Sequence, residues 1–307
     1  MHIMIMGAGA LGSYYGARLQ AAGHAVTFVA RGAQLEALQT RGIRIFSPLG
    51  DLELPEVRAL ADPAEAGPVD AVVLLVKSYD VESAGEALRS CLGTSGIVIT
   101  GQNGVTAHRR LAAIIGADRV APGMVYMPAE VTEPGVIRHG SDFSRLVLGP
   151  LMDGRTGPLD AVAEALDAAG ITVERVVDPE PALWEKFALL APMACLTCLT
   201  RLDLGAIRDC PETLGLLRAA LDETMAVGQA VCTGLSPEAG ERAWSIVTAM
   251  RREVHASMLD DLRRGKRLEL EDVSGEIARL GAAHGIPTPV HAMAYSVLRP
   301  FRDGAPG

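Results

Sequence analysis

The sequence predicts an α/β protein, a doubly wound parallel sheet followed by an all-helical C-terminal region, on three observations. Short β-branched runs alternate with helical segments through the first half. A glycine-rich turn, "GAGALG", follows the first of those runs and opens a helix. From "DPEPALWEKF" (178–187) onward the texture is helical throughout, with Pro179 and Pro181 at the seam. The expected domains are therefore 1–178 and 179–307.

"HIMIM" (2–6) reads as a strand, "ALGSYYGARLQAA" (10–22) as a helix, "AVTFVA" (25–30) as a strand and "GAQLEALQTRG" (32–42) as a short helix. "DAVVLLVK" (70–77) is an unbroken apolar run, the pattern of a strand covered on both faces. "GIVITGQNG" (96–104) and "VAPGMVYMP" (120–128) repeat the theme, with helices between. Segments 43–57 and 135–150 break the alternation and read as hairpins with glycine or proline turns. Residues 156–176 supply a further helix and strand.

Composition narrows the function classes. The chain has 307 residues, 49% of them hydrophobic, enough for a large core and long enough to favour two domains. A net charge of −9 and basic residues interspersed with acids argue against a phosphate-backbone binder, so no nucleic-acid partner is expected. Met1 leads straight into the first strand and the glycine-rich turn, so no secretory signal is expected. The apolar run 187–200 is expected to be too short for a membrane and broken by Pro192. Five cysteines suit a reducing cytoplasm better than a disulfide framework. Cys195 and Cys198 form C-x-x-C, but no second pair follows to complete a zinc site, so they read as core and no metal is expected.

Gly7, Gly9 and Gly12 stand in G-x-G-x-x-G spacing between a strand and a helix, the context of a Rossmann phosphate cradle. The first glycine permits the tight turn, the second lets backbone approach a pyrophosphate, and the third allows close helix–sheet packing. The whole loop, Gly7, Ala8, Gly9, Ala10, Leu11 and Gly12, is the expected cofactor-binding segment. An NAD site usually carries an acid at the end of the second strand. "TFVARGAQ" (27–34) has none and presents Arg31, whose guanidinium suits a ribose 2′-phosphate, so NADP(H) is favoured.

Two further loops leave strand ends, where open α/β sheets bind ligands: Lys77 in "LLVKSYD" and Asn103 in "ITGQNGV". Lys186 stands at the entrance of a charge-free run from Phe187 through Thr200, where an ammonium is costly unless paired.

"GAGALGSYYGARL", "VAR", "LLVK", "QNG", "LWEKF", "SMLDDLRRGKRLELEDVSG" and "AHGIPTPV" occur in the order seen in 2-dehydropantoate 2-reductases (ketopantoate reductases). The chain resembles that family over nearly its whole length. The resemblance implies a Rossmann domain, a helical second domain with the site in the cleft between them, and NADPH reduction of 2-dehydropantoate to (R)-pantoate in pantothenate synthesis. It implies Lys186 as general acid, Glu269 as its assisting carboxylate, and Asn103 and Ser257 as substrate contacts. Gly7, Gly9 and Gly12 match the cofactor loop, and Arg31 and Lys77 match NADP contacts. The resemblance also implies that Asn103 contacts the cofactor.

An ammonium can protonate and stabilise the alkoxide that hydride delivery creates, and a 2-oxo acid's carboxylate helps offset its desolvation. Departures from the family bear on substrate identity. Leu190, Ala194 and Leu204 replace its usual asparagines, each loss removing hydrogen bonds worth about 1 kcal/mol or more. A related 2-oxo acid or a more apolar carbonyl compound is therefore an alternative substrate. A β-hydroxyacid or opine-type dehydrogenase fits the order of motifs less well. A non-catalytic NADPH-binding sensor is the alternative from another class. The apolar helices of the second half allow packing into a homodimer.

Overall fold

The computed structural model describes residues 1–152 and 157–306. Thr156, the first residue of the expected 156–176 segment, and Gly307 lie outside them. The chain divides into two units, Met1–Gln102 with Thr106–Pro179, and Asn103–Val105 with Glu180–Gly307.

The first unit runs β1 (His2–Met6), α1 (Ala10–Ala21), β2 (Ala25–Val29), α2 (Gly32–Arg41), β3 (Ile43–Phe46), β4 (Leu52–Leu54), β5 (Arg58–Leu60) and β6 (Val69–Leu74). It continues through α3 (Val81–Leu88), β7 (Leu92–Thr100), α4 (Ala107–Ile115), β8 (Val120–Tyr126), β9 (Ala129–Glu133), β10 (Val136–His139), β11 (Arg145–Leu148), α5 (Gly157–Ala168) and β12 (Thr172–Arg175). Eight strands form one sheet in the order β12-β11-β8-β7-β6-β1-β2-β5. From β5 to β8 every neighbouring pair is parallel, which is the doubly wound dinucleotide-fold order.

Strand alternation explains why helices cover both faces. In β1, Ile3 and Ile5 point into a core shared with Phe28, Leu19 and Val162, whereas Met4 and Met6 join Val72, Leu88 and Leu111 on the other side. Neither face of β1 reaches water, so the sequence shows no polar alternation there.

The segment 43–57 contains the expected hairpin, β3 antiparallel to β4. The segment 135–150 does not form one. Its first strand, β10, pairs backward with β9 and parallel to β3, completing a four-stranded sheet, while β11 joins the large sheet beside β8. The turn lies earlier than expected, at Pro134–Gly135, where Gly135 has φ +83° and so makes a reversal that other residues resist.

The second unit is helical: α6 (Glu180–Thr200), α7 (Leu204–Asp209), α8 (Pro211–Val231), α9 (Ala239–Ala249), α10 (Ser257–Arg263), a π-helical turn at Glu271–Gly275, α11 (Glu276–His284) and α12 (Pro289–Leu298). The expected break at Pro192 is absent, because α6 continues through it for 21 residues. An interior proline costs about 3 kcal/mol. Each fully buried large apolar side chain returns roughly 1.5–3 kcal/mol, and α6 buries Leu183, Trp184, Phe187, Met193 and Leu196 among others. Packing therefore outweighs the lost hydrogen bond. By length and composition α6 could cross a membrane, yet 67% of its most apolar window is buried inside the fold, as in a core helix.

Candidate active site

In the first unit, three loops leave neighbouring strand ends. Met6 is paired with Val29 on one side and Leu74 on the other, so the glycine loop lies between the segments carrying Arg31 and Lys77. Gly7 and Ala8 donate their amides to the Val29 carbonyl at 3.2 and 2.9 Å, and Leu75 donates to Met6 at 2.8 Å. Gly7 has φ +101°, and a Cβ there would stand 2.7 Å from the Val76 amide nitrogen. At Gly12 a Cβ would strike the Gly7 carbonyl. Both glycines are thus required by the protein itself.

Gly9 differs. It is exposed, its φ is −75°, and an added Cβ would meet nothing within 4 Å. Packing gives no reason for glycine, whereas close approach of a ligand's pyrophosphate does. The first turn of α1 contains no acid, so nothing offsets its positive end. Ala10 and Leu11 are half-buried at the same mouth, and Ala8 is buried below it. These residues fit a dinucleotide.

Arg31 begins two residues beyond β2, its side chain 76% exposed and 3.7 Å from the Asp80 carboxylate. It is available to a 2′-phosphate but already has an acidic neighbour. Lys77, half-buried, precedes the short turn Ser78–Asp80. Gln102, which sequence reading passed over for Asn103, braces this segment by donating to the Leu74 and Val76 carbonyls at 2.8 and 3.1 Å.

The second unit assembles a different group. Lys186 lies on the less buried edge of α6, and its Nζ donates to Asn103 Oδ1 at 3.4 Å. Asn103 reaches it because Gly104 has φ +103° and packs on the π-turn, where an added Cβ would stand 3.0 Å from the Asp272 carbonyl oxygen. Glu269 is buried at 6% exposure, just before the π-turn, and acts on Lys186 by charge. Desolvation lowers the Lys186 pKa from 10.5 to about 8, and the Glu269 carboxylate opposes that fall. Glu185, the adjacent acid, turns to Arg242 instead. An ammonium held near neutrality beside an amide and a carboxylate can give a proton to a developing oxyanion.

The structure thus brings together Lys186, Asn103 and Glu269. Ser257, exposed at the first position of α10, takes part in none of the hydrogen bonds described for them among the described residues. Of the three apolar replacements, Leu190 is half-buried one turn beyond Lys186, while Ala194 and Leu204 are 2% and 0% exposed. Asp272, buried at 6%, lies where Gly104 packs on the π-turn, and sequence reading passes over it. Only the π-turn brings it to Gly104, and no local pattern announces that turn.

Cradle, doubly wound sheet and lysine–carboxylate pair define a Rossmann-type oxidoreductase. The family described as Ketopantoate reductase PanE/ApbA matches residues 3–153, and its C-terminal counterpart matches residues 178–302. The chain belongs to the ketopantoate reductase family. It is 32% identical to the 2-dehydropantoate 2-reductase of Halobacterium salinarum, over 99% of this chain and 100% of that protein. It is 35% identical to that of Archaeoglobus fulgidus, over 98% of each. The crystal structure of a PanE/ApbA family ketopantoate reductase from Ralstonia eutropha superposes with a TM-score of 0.90 at 32% identity, covering 98% of both chains. A D-mandelate dehydrogenase bound to NADH and anilino(oxo)acetate has a TM-score of 0.89 over 98% of both chains, and at 19% identity shares the fold alone.

Proposed function

We propose that the chain is an NADPH-dependent 2-oxo acid reductase, with 2-dehydropantoate, reduced to (R)-pantoate, as its leading substrate. Residues 1–178 are read as the NADP-binding domain and 179–307 as the helical domain carrying the acid. The observation that carries this is the Lys186 ammonium, held near neutrality between Asn103 and Glu269.

When bound, the dinucleotide supplies a hydride to the substrate's keto carbon. Lys186 gives its proton to the keto oxygen as that oxygen gains charge, leaving a hydroxyl and a neutral amine. Asn103 orients the amine, and Glu269 favours its charged form before transfer. The substrate carboxylate offsets part of the ammonium's desolvation. On the cofactor side, the Gly7–Gly12 loop would hold the pyrophosphate and Arg31 the 2′-phosphate, with Lys77 and Asn103 assigned as further contacts on family resemblance. Ser257 is assigned to the substrate on family resemblance. The setting is read as cytoplasmic, and the apolar helices of the second unit allow a homodimer.

Leu190 favours a second reading, in which the substrate is a more apolar 2-oxo acid. It puts a branched alkyl group one turn from the acid, where an amide would bind a hydroxyl. Steady-state NADPH oxidation against 2-dehydropantoate and a panel of apolar 2-oxo acids tests both readings. Lys186→Ala is expected to lower kcat at least about a hundredfold while NADPH affinity holds. A Lys186→Ala enzyme at wild-type activity would remove Lys186 from the chemistry. Tight NADPH binding without turnover on any substrate would make the protein a sensor.

A further inference from the structure

The interior of the helical unit holds polar groups that the reaction does not use. His291 on α12 is fully buried, its Nε2 3.0 Å from both the Ala220 carbonyl oxygen and Thr224 Oγ1. Thr224 donates its own hydroxyl to Ala220 at 2.8 Å, so toward His291 it can only accept. The Nε2 proton is therefore committed to α8, and Nδ1 is left as an acceptor. Ser274 Oγ lies 3.3 Å from that Nδ1 and meets the Cys195 thiol of α6 as well. Cys195, Ser274 and His291 thus form a line of hydrogen bonds from α6 through the π-turn to α12 and α8.

A neutral imidazole is required for this line, and burial lowers the His291 pKa to about 4. Glu223 accepts the Val290 and His291 amides at 2.8 and 3.0 Å, and so fixes the start of α12. One turn on, Tyr295 donates to Glu271 at 3.0 Å and lays its ring against Gly275. Helix α12 therefore grips the π-turn at both ends, by Ser274 inside and Glu271 outside. The turn is closed by an i→i+5 bond, Gly275 to Leu270 at 2.9 Å, a rare winding whose alternative is ordinary helix.

We propose that Ser274 and His291 are positioning residues, whose hydrogen bond holds the π-turn in the wound form that turns Glu269 toward Lys186. The proposal deepens the reading of Lys186 and Glu269 given above and rests on it. Rewinding the turn by one residue would rotate its buried side by about 100°. That would carry Glu269 away from the Lys186 side of the unit. The acids beside Lys186 in this unit are Glu269, which acts on it by charge, and the adjacent Glu185, which is engaged by Arg242.

The chain has only three lysines, Lys77, Lys186 and Lys266, so [13Cε]lysine labelling yields three titration curves by NMR, with Lys186 assigned through Lys186→Arg. Ser274→Ala and His291→Leu are expected to lower the Lys186 midpoint by about half a pH unit or more, as Glu269→Gln does, because the nearby negative charge is lost. Ser274→Ala combined with Glu269→Gln is expected to move it no further than Glu269→Gln alone. His291→Asn, whose Oδ1 replaces Nδ1 as acceptor, is expected to restore the wild-type midpoint. A merely stabilising role would lower Tm and leave the midpoint in place. Folded Ser274→Ala and His291→Leu proteins with a wild-type Lys186 midpoint would overturn the proposal, as would a Glu269→Gln protein whose midpoint does not move. Since the readout needs no turnover, failure of the catalytic reading shows separately, as an active Lys186→Ala enzyme.

Discussion

Lys186 Nζ lies 3.4 Å from Asn103 Oδ1, joining α6 to a residue 83 positions earlier in the chain. The bond is long for a charge-assisted one, and the amide oxygen is neutral. Asn103 therefore orients the ammonium without neutralising it, and the desolvation of Lys186 is only partly compensated. The amine is left able to release its proton.

That partial compensation fixes a pH dependence. For reduction Lys186 must be protonated, so kcat/KM is expected to fall as pH rises through about 8, and the reverse oxidation to rise over the same range. Stability moves the other way. Between about 8 and the unfolded value of 10.5 the unfolded chain holds a proton that the folded chain has released, so stability rises with pH across that window. In Lys186→Met the rise should vanish; denaturant titrations at pH 7.5 and 10 would show it, and an unchanged rise would assign it elsewhere.

Gly9 and Gly12 are expected to part company on substitution. Gly9→Ala meets no protein atom, so its stability should stay within about 0.5 kcal/mol of wild type while dinucleotide affinity falls at least about tenfold. Gly12→Ala drives a methyl into the Gly7 carbonyl and should destabilise the fold outright. Thermal melts with and without NADPH separate the two. A Gly9→Ala protein that binds NADPH normally would remove the pyrophosphate from that place.

The Arg31–Asp80 pair bears on coenzyme choice. At 3.7 Å, with the arginine mostly exposed, it contributes at most about 1 kcal/mol, yet Asp80 would repel a 2′-phosphate. Asp80→Asn is expected to tighten NADPH a few-fold with little effect on NADH. Arg31→Ala is expected to weaken NADPH at least about tenfold and NADH far less. Fluorescence titrations with both dinucleotides decide it, and equal weakening would refute the 2′-phosphate assignment.

The apolar face beyond Lys186 separates into positions that tolerate an amide and positions that do not. Leu190→Asn, at a half-buried site, is expected to raise kcat/KM for 2-dehydropantoate about fivefold, the equivalent of about 1 kcal/mol. Ala194→Asn would overpack a residue 2% exposed and should cost about 1–3 kcal/mol of stability. Steady-state kinetics and denaturant melts on the two single variants test this, and a loss of activity in Leu190→Asn would count against the hydroxyl-binding account.

The sheet was legible because its determinants are local: β1, β2 and β6 are apolar runs with glycine or proline close by, and the cradle is a contiguous string. Lys186 stood out as the lone charge before an apolar stretch. What stayed hidden depends on partners distant in sequence. Nothing within 135–150 says that β11 pairs with β8, and α6 survives Pro192 only through its packing. Likewise Ser274 and His291 meet only once the helices assemble.

The tripeptide Asn103–Val105 groups with the helical unit although β7 and α4, which flank it, belong to the first unit. The polypeptide therefore passes from one module to the other three times instead of once. A fragment cut at Glu180 would lack the oxygen that Lys186 bonds, and one ending at Pro179 would carry that tripeptide as an orphaned insertion. Gene-level dissection at the obvious seam thus yields two incomplete pieces, and a permuted or spliced design must keep the 103–105 excursion intact for the lysine to retain its partner.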